Sequence, residues 1–271
     1  MLVRPTLPAL RDVVEFLWTR DAPAKNGPPT GRELVLPDGR MHLAVRLGGR
    51  PLRLYADPAD NAGVALTDAV VAGPYGRAYL KDASDPGPSV GAIFRVGAAQ
   101  ALFGCEPGEL VDRHGALAQF WPGADETLRD RLNSEVEPLR QLQCLQEMLA
   151  ARLRRVHGLH PQVAGVLQDV RRGVPIGELV AASGFSHRRF LDLFRQAAGM
   201  SPKRYARLVR FRRVLPMAAG DLAWTEVALA GGYSDQAHLI REFREFSGLT
   251  PQAYRMACPF NRRHVPSSVK G

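Results

Sequence analysis

Two segments near the end of the chain predict helices with arginine side chains on one face and apolar side chains on the other. At about 100° per residue, Phe190 and Phe194 lie on the inner side of the first helix and Arg188 lies opposite. The outward positions of the first helix are Arg188, Leu191 at the flank, Asp192 and Arg195. Those of the second, opposite Leu239, Phe243 and Phe246, are Ala237, His238, Arg241 and Arg244. Guanidinium groups on an exposed helix can reach phosphates and base edges in a DNA major groove about 12 Å wide.

A solvated helix face is the alternative explanation for any single arginine, and an internal repeat argues against it. Glu178–Ser186 aligns with Glu226–Ser234 at a shift of 48 residues. After one inserted residue the shift becomes 49. The matching positions are then Phe190, Phe194, Arg195, Gly199, Pro202 and Tyr205 with Leu239, Phe243, Arg244, Gly248, Pro251 and Tyr254. Two equivalent faces, each preceded by the same turn, are hard to explain by solubility alone.

Each copy of the repeat has the pattern of a helix-turn-helix unit. Gly184 and Gly232 supply the left-handed turn conformation that other residues resist. Ser186 and Ser234 are predicted to cap the following helices by accepting backbone N–H bonds. The Gly-x-Ser/Thr-Pro ending stops each second helix and starts another. The pattern predicts an all-α tandem domain with helix-turn-helix units at about 176–198 and 225–247.

The segment between the two units predicts a connecting helix at 202–215. Fourteen residues at about 1.5 Å each give roughly 21 Å. One further helix diameter of about 10–12 Å brings the two outward faces close to the ~34 Å repeat of successive major grooves. Bending of the DNA would accommodate a small shortfall. Pro216 is expected to end this helix.

The positive charge of the chain is confined to its C-terminal part. The 271 residues carry a net charge of +9. From residue 160 onward there are 17 Lys and Arg against 8 Asp and Glu, whereas the first 159 residues hold 19 of each. A segregated basic domain is what a polyanion-binding surface requires, because neutralised phosphates release condensed counterions. A membrane surface would attract the same sign of charge, so charge alone does not decide the partner.

The first half of the chain predicts an α+β domain. Short apolar runs between turn signals, as at Glu33–Leu36, Met41–Leu47 and Leu52–Tyr55, are typical of β-hairpins. Further strands are predicted at Val64–Val71 and Val90–Val96, and helices at Ala98–Phe103, Asp125–Asn133 and Val136–Val156. Leu10–Trp18 fits a strand or a helix equally. The expected architecture is a small β-barrel or curled sheet with helices at its end.

A domain boundary is predicted where a long helix-forming run ends. Gly158 followed by Pro161 is a strong helix stop. The chain is therefore expected to divide into an N-terminal domain at 1–158 and a C-terminal domain at 159–271.

At the duplicated residues the sequence resembles the AraC/XylS family of transcription regulators, whose DNA-binding domain is a tandem helix-turn-helix joined by a long helix. The resemblance covers about Pro161 to Arg255 and is most specific at 232–243 and 248–251. It implies contacts with bases from both recognition helices. The implied base readers are Arg188, Leu191 and Asp192 in the first helix, and Gln236, Ala237, Ile240 and Arg241 in the second.

One departure from the family concerns the first recognition helix. Many members have an arginine where this chain has Asp192. A carboxylate there would repel phosphate, although it could accept a bond from cytosine N4 or orient Arg188. The second unit is therefore the better-supported base reader.

The first half also resembles the sensor-like domains that precede such DNA-binding domains. The residues that carry this resemblance are Leu36-Pro37-Asp38-Gly39, Gly73-Pro74 and the run at 91–98. It implies a cupin-like or related β-barrel that binds an effector or a second subunit. The candidate partners are double-stranded DNA, a small-molecule effector, RNA polymerase and a second copy of the chain.

No pattern for catalysis, a cofactor or a metal stands out in the sequence. His42, His114 and His157 lack metal-ligand spacing, and Cys105, Cys144 and Cys258 stand far apart, as expected in a reducing cytoplasm. The glycine-rich stretches match neither dinucleotide nor phosphate-loop motifs. No apolar run is long enough for a membrane span. A non-enzymatic cytoplasmic regulator is expected. The alternative is a ligand-processing or repair-type enzyme fused to a DNA-binding tail.

Overall fold

The computed structural model describes residues 2–4, 7–21, 31–85, 87–154, 161–257 and 262–267. Its strands are β1 Leu2–Arg4, β2 Val14–Arg20, β3 Arg32–Val35, β4 His42–Arg46, β5 Arg53–Tyr55, β6 Val64–Ala65, β7 Ala69–Ala72, β8 Tyr79–Asp82, β9 Ser89–Phe94, β10 His114–Ala116 and β11 His264–Pro266. Its α-helices are α1 Ala124–Asn133, α2 Pro138–Arg152, α3 Pro161–Arg172, α4 Ile176–Ser183, α5 His187–Ala198, α6 Pro202–Ala218, α7 Trp224–Gly231, α8 Gln236–Ser247 and α9 Pro251–Ala257.

The strands form two antiparallel sheets. One has six strands in the order β1-β2-β9-β4-β7-β10, and the other has five in the order β11-β3-β8-β5-β6. The sheets meet through aromatic side chains, since the Tyr79 and His114 rings lie edge to face with centroids 5.0 Å apart. The expected fold class is confirmed: a β-rich N-terminal region with helices precedes a helical region, although one short strand, β11, follows helix α9.

The six-stranded sheet buries one face against α1 and α2. Leu17, Ala92 and Leu43 occupy one row across β2, β9 and β4, and all three are buried in the core that contains Leu128 and Leu145. Side chains alternate between the two faces of a strand, so the neighbouring rows face the five-stranded sheet.

The structure decides several details of the N-terminal region. Leu10–Trp18 is mainly strand, since β2 begins at Val14 after one 3-10 turn. The run Val64–Val71 forms two short strands rather than one. At the break, the Thr67 hydroxyl donates to Ala69 O and the Asp68 backbone oxygen accepts from the Arg46 N–H. Ala98–Phe103 forms a π-helical turn. Sequence reasoning missed β1, β8, β10 and β11, and the predicted boundary at residue 158 lies outside the described residues.

Helix α6 lies at the centre of the C-terminal region. The helices α3, α5, α7, α8 and α9 all contact it. Its buried side chains Tyr205 and Phe211 pack edge to face against Phe194 and Phe243. The expectation that Pro216 ends this helix is wrong, because α6 continues to Ala218. A proline so close to the C terminus removes only one backbone donor, and the Ala219 N–H still reaches Leu215 O at 3.2 Å.

The C-terminal segment returns to the N-terminal region. Strand β11 pairs with β3, and Val265 is fully buried beside Leu34. The buried carboxylate of Asp38 lies 2.7 Å from Arg263 Nη1, and its backbone oxygen accepts a bond from Arg212 of α6. A strand and two arginines from the last part of the chain therefore join the two regions.

Candidate nucleic-acid interface

The first helix-turn-helix unit consists of α4 and α5. Gly184 between them has a φ of +69°, in the left-handed region that favours glycine. Ser186 then caps α5, as predicted, because its hydroxyl accepts a bond from the Arg189 N–H at 3.3 Å. Phe190 and Phe194 are buried on the inner side of α5. The opposite face is left towards solvent.

The second unit consists of α7 and α8 and follows the same plan. Gly232 has a φ of +79°. The predicted cap at Ser234 is wrong: Asp235, the residue inserted relative to the first copy, accepts the bond from the His238 N–H at 2.7 Å. The Ser234 hydroxyl donates to Asp235 Oδ2 at 3.0 Å. A carboxylate at this position also complements the positive end of the helix dipole.

The outward face of α5 presents two exposed arginines, Arg188 and Arg195. Asp192 is about half exposed and lies 3.8 Å from Arg195 Nη1, so its nearest basic neighbour is Arg195 rather than Arg188. Leu191 is half-buried beside them. Within the described part of the chain, the Arg188 guanidinium forms no ion pair or hydrogen bond and is therefore available to a ligand.

The outward face of α8 presents four exposed side chains, and two further predicted residues lie at its margin. Gln236, Ala237, Arg241 and Arg244 are exposed. Ile240 is half-buried. His238 turns towards the helix-turn-helix turn, where its ring meets Tyr233 edge to face at 5.2 Å and Nδ1 lies 3.1 Å from the Ser234 hydroxyl. The side chains of Arg241 and Arg244 have no recorded ion pair among the described residues.

A cluster of charges that sequence reasoning missed fixes α8 against α6. Glu242 is only 2% exposed, and its carboxylate lies 2.8 Å from Arg207 Nε and 2.7 Å from Arg210 Nη2. Arg207 also pairs with Glu245. Burial alone would raise the pKa of Glu242, but hydrogen bonds from Arg210 and Arg207 keep it below its ordinary value. The signal available in the sequence was an i,i+3 arginine pair on α6 and a glutamate beside the apolar stripe of α8.

Other chemistry finds little support in the described residues. Within those ranges no group of three or more His, Cys, Asp or Glu side chains could bind a metal ion. None of the helices described is both long and apolar enough to cross a bilayer. Cys144 is buried and Cys105 half-buried, as expected for small apolar side chains, while Cys258 lies outside the described residues.

Two family models match parts of this chain. Residues 179–257 match the family described as Helix-turn-helix domain, and residues 3–116 match a Domain of unknown function (DUF6597). An uncharacterized HTH-type transcriptional regulator of Haemophilus influenzae is 28% identical over 98 residues, which are 36% of this chain and 33% of that protein. The match thus spans about a third of that relative.

Solved structures that align with this chain include ToxT from Vibrio cholerae. An apo form of ToxT aligns with 94% of this chain and 100% of its own at 13% identity and a TM-score of 0.47. The unsaturated fatty acid-bound wild-type form aligns with 96% of each chain at 10% identity and a TM-score of 0.46. The xylose-binding transcription activator XylR aligns with 53% of this chain and 40% of its own at 18% identity and a TM-score of 0.32.

The C-terminal region is a helix-turn-helix DNA-binding domain, as its two glycine turns, capped helices and family match establish. Two such units joined by one long helix are the AraC-type arrangement. Residues 179–257 are similar to the helix-turn-helix domain of AraC-type regulators, which confirms the predicted resemblance for this part of the chain.

Proposed function

We propose that this protein regulates transcription by binding a specific DNA sequence, with α5 and α8 in two successive major grooves. The observation that carries this proposal is the pair of exposed basic faces, each behind a left-handed glycine and a capped helix start. Arg188 on α5 and Arg241 on α8 are the leading base or phosphate readers, because both guanidinium groups are exposed.

The charge of the domain favours a polyanion as the partner. All of the net charge of +9 arises from residue 160 onward. The arginines that line α6 are largely engaged, because Arg207 and Arg210 pair with Glu242 and Arg204 lies near Asp112. The arginines available to phosphate are therefore concentrated on α5 and α8, where a duplex would lie.

The length of α6 suits the spacing of two grooves. Its 17 residues give about 25 Å at 1.5 Å per residue. One helix diameter of about 10 Å brings the sum to roughly 35 Å, close to the ~34 Å between successive major grooves on one side of a duplex. The continuation of α6 past Pro216 improves this agreement relative to a helix that ends at Leu215.

The N-terminal region is proposed to receive the controlling signal. Its Asp38 contacts Arg263 and Arg212 of the C-terminal region. Its Asp112 contacts Arg204. An effector or partner that shifts these contacts would change the placement of α6 between the two units. RNA polymerase and a second copy of the chain are further candidate partners within this proposal. A regulator of this kind acts where the DNA is, so we place it in the cytoplasm.

The test is binding of the full-length protein to duplexes selected from a random pool. We expect an Arg241→Ala/Arg244→Ala variant to lose about 100-fold in affinity, since each reading arginine contributes about 1–3 kcal/mol. The matched control is Arg11→Ala/Arg140→Ala, which removes two exposed arginines from the neutral N-terminal region and leaves affinity unchanged. Affinity of the wild type should fall steeply with salt. Unchanged affinity in the α8 variant would refute the assignment.

A further inference from the structure

A row of basic side chains lies on the inner face of the six-stranded sheet. Arg20 of β2, Ser89 of β9 and Arg46 of β4 are direct partners in adjacent antiparallel strands, so their side chains share one face. The neighbouring row, Thr19, Val90 and Val45, is buried on the opposite face, where the Thr19 hydroxyl reaches Gln141 of α2. The row with the two arginines therefore faces the five-stranded sheet.

Lys81 adds a third positive charge from that second sheet. Lys81 of β8 and Glu33 of β3 are register partners, and Lys81 Nζ lies 3.1 Å from Glu33 Oε2. The same carboxylate oxygen lies 2.9 Å from His264 Nδ1. Burial lowers the pKa of His264 to about 4, so its imidazole is neutral and adds no charge. Glu33 thus pairs with Lys81 and also attracts Arg20 across the inter-sheet space.

Arg20 and Arg46 each have a buried Nε–H group without a hydrogen-bond acceptor. Arg46 is 7% exposed. Arg46 Nη2 donates to the backbone oxygen of Asp85 at 2.8 Å, and the Ser89 hydroxyl donates to Gly87. Within the described ranges neither Arg20 nor Arg46 forms an ion pair. A buried guanidinium donor without an acceptor, next to other positive charges, is strongly unfavourable.

The nearby aspartates among the described residues form no ion pair with the row. Burial raises the pKa of Asp82, but hydrogen bonds and, more weakly, the charge of Arg46 hold it below its ordinary value. Asp82 accepts bonds from the Ser84 backbone, the Ser84 hydroxyl and the Tyr55 hydroxyl. Asp85 Oδ2 accepts from the Arg50 backbone. Burial lowers the pKa of Arg20 and of Lys81. The charge of Glu33 opposes this effect and that of the neighbouring arginines reinforces it, so both pKa values remain lowered.

The geometry points to an oxyanion-binding site in the inter-sheet space, formed by Arg20, Arg46 and Lys81, for the carboxylate or phosphate group of a small effector. Strands β2 and β4 flank β9, so the Cα atoms of the two arginines lie about 10 Å apart at ~4.8 Å per strand. Two arginine side chains can converge across that span on one oxyanion, whose several lone pairs accept the free Nε–H groups.

This site gives the effector of the proposed function a chemical class, and its influence on DNA binding rests on that function. The site is connected to the DNA-binding region, because Glu33 also contacts His264 of β11, and β11 follows α9 in the chain. An anion that draws Lys81 away from Glu33 would alter the attachment of β11.

The test is thermal unfolding of the full-length protein in sodium phosphate, sodium acetate and sodium chloride at equal ionic strength. We expect phosphate or acetate, but not chloride, to raise Tm saturably, by about 5 °C at a hundredfold excess over Kd. The oxyanion that acts identifies the ligand group as phosphate or carboxylate. No specific rise with either oxyanion would overturn the proposal.

The variants Arg20→Met and Arg46→Met keep the apolar stem and remove the guanidinium. We expect both to abolish the anion-dependent rise, and Arg46→Lys to weaken it about tenfold because the fork of donors is lost. Without anion, both Met variants should unfold at or above the wild-type Tm, since an uncompensated charge is gone. A lower Tm in both would show that the arginines are structural and would overturn the proposal.

The matched control is Arg140→Met, an exposed arginine on α2, which should keep the full anion response. A response retained equally in all variants would mean a general salt effect and would also overturn the site. DNA binding by the same proteins is measured separately. If the wild type shows the anion response but no specific DNA binding, the proposed function is wrong and the anion site is retained. If it binds DNA specifically but shows no anion response, the anion site is wrong and the proposed function is retained.

Discussion

The two helix-turn-helix units share a plan but are positioned in different ways. In the second unit, Glu242 of α8 is buried between Arg207 and Arg210 of α6 at 2.8 and 2.7 Å. In the first unit, the described residues of α5 and α6 form no ion pair with each other. The contact of α5 with α6 is apolar and aromatic, with Phe194 edge to face on Tyr205 at 5.6 Å.

The first unit is placed instead against the N-terminal region. A side chain at Gly199, which ends α5, would meet Val111 Cγ2 at 3.0 Å and Pro107 O at 3.1 Å. Just beyond it, Arg204 Nη2 lies 3.3 Å from Asp112 Oδ2. Helix α8 also meets the N-terminal region, because the Ala78 N–H donates to Phe246 O at 3.0 Å. Both units therefore contact the N-terminal region, but among the described residues only α8 is also fixed to α6 by ion pairs. A change in the N-terminal region should therefore affect the first unit more than the second.

Removal of the Glu242 carboxylate should have the largest effect, because it deletes the ion pairs between α8 and α6 that the first unit lacks. Glu242→Ala leaves two arginines without their partner at a site that is 2% exposed, and we expect a loss of about 3 kcal/mol of unfolding free energy. Denaturant unfolding of the full-length protein measures it. Glu242→Gln, which keeps the shape and some hydrogen bonds, should lose less. Equal stability of wild type and Glu242→Ala would contradict the role of this cluster.

The counterpart on the first unit is Asp192→Ala. Its ion pair with Arg195 is half exposed and 3.8 Å long, so we expect a stability change within about 0.5 kcal/mol. Affinity for DNA should rise at low salt, because a carboxylate facing phosphate is removed. A large loss of stability here would make the two units alike and would remove the contrast.

The helix caps give a smaller effect that sharpens the comparison. Asp235→Ala removes the acceptor of the 2.7 Å bond to the His238 N–H, and Ser186→Ala removes that of the 3.3 Å bond to the Arg189 N–H. Each should lower Tm by about 2 °C, with the aspartate the larger of the two. Ser234→Ala should have a lesser effect, since Ser234 supports the cap rather than forming it. If Ser234→Ala proved more damaging than Asp235→Ala, the cap would be misassigned.

The recognition helices were predictable because their signals are local. A glycine turn, a cap and an apolar stripe at helical spacing all fall within about 20 residues, and duplication doubled the signal. The N-cap of α8 at Asp235 could have been predicted, since Asp235 is the residue inserted in the second copy. Pro216 was misjudged because a proline near a helix end removes too little hydrogen bonding to stop the helix.

Long-range pairing was not predictable in the same way. Strand β11 has three residues and pairs with β3, more than 220 positions earlier in the chain, so no local pattern identifies it. Arg20, Ser89 and Arg46 become neighbours only through the strand order β2-β9-β4. Glu242 was visible as a glutamate next to an apolar stripe, but its partners on α6 depend on how the helices cross.

Sequence selection by wild-type and variant proteins tests most directly whether both recognition helices read DNA. Full-length wild type, Arg188→Ala and Arg241→Ala are each used to enrich duplexes from one random pool. We predict that the wild type selects two short elements about 10–10.5 base pairs apart, that Arg188→Ala relaxes one of them, and that Arg241→Ala relaxes the other. Selection of a single element by the wild type, or relaxation of the same element by both variants, would contradict a protein that reads two grooves with two helices.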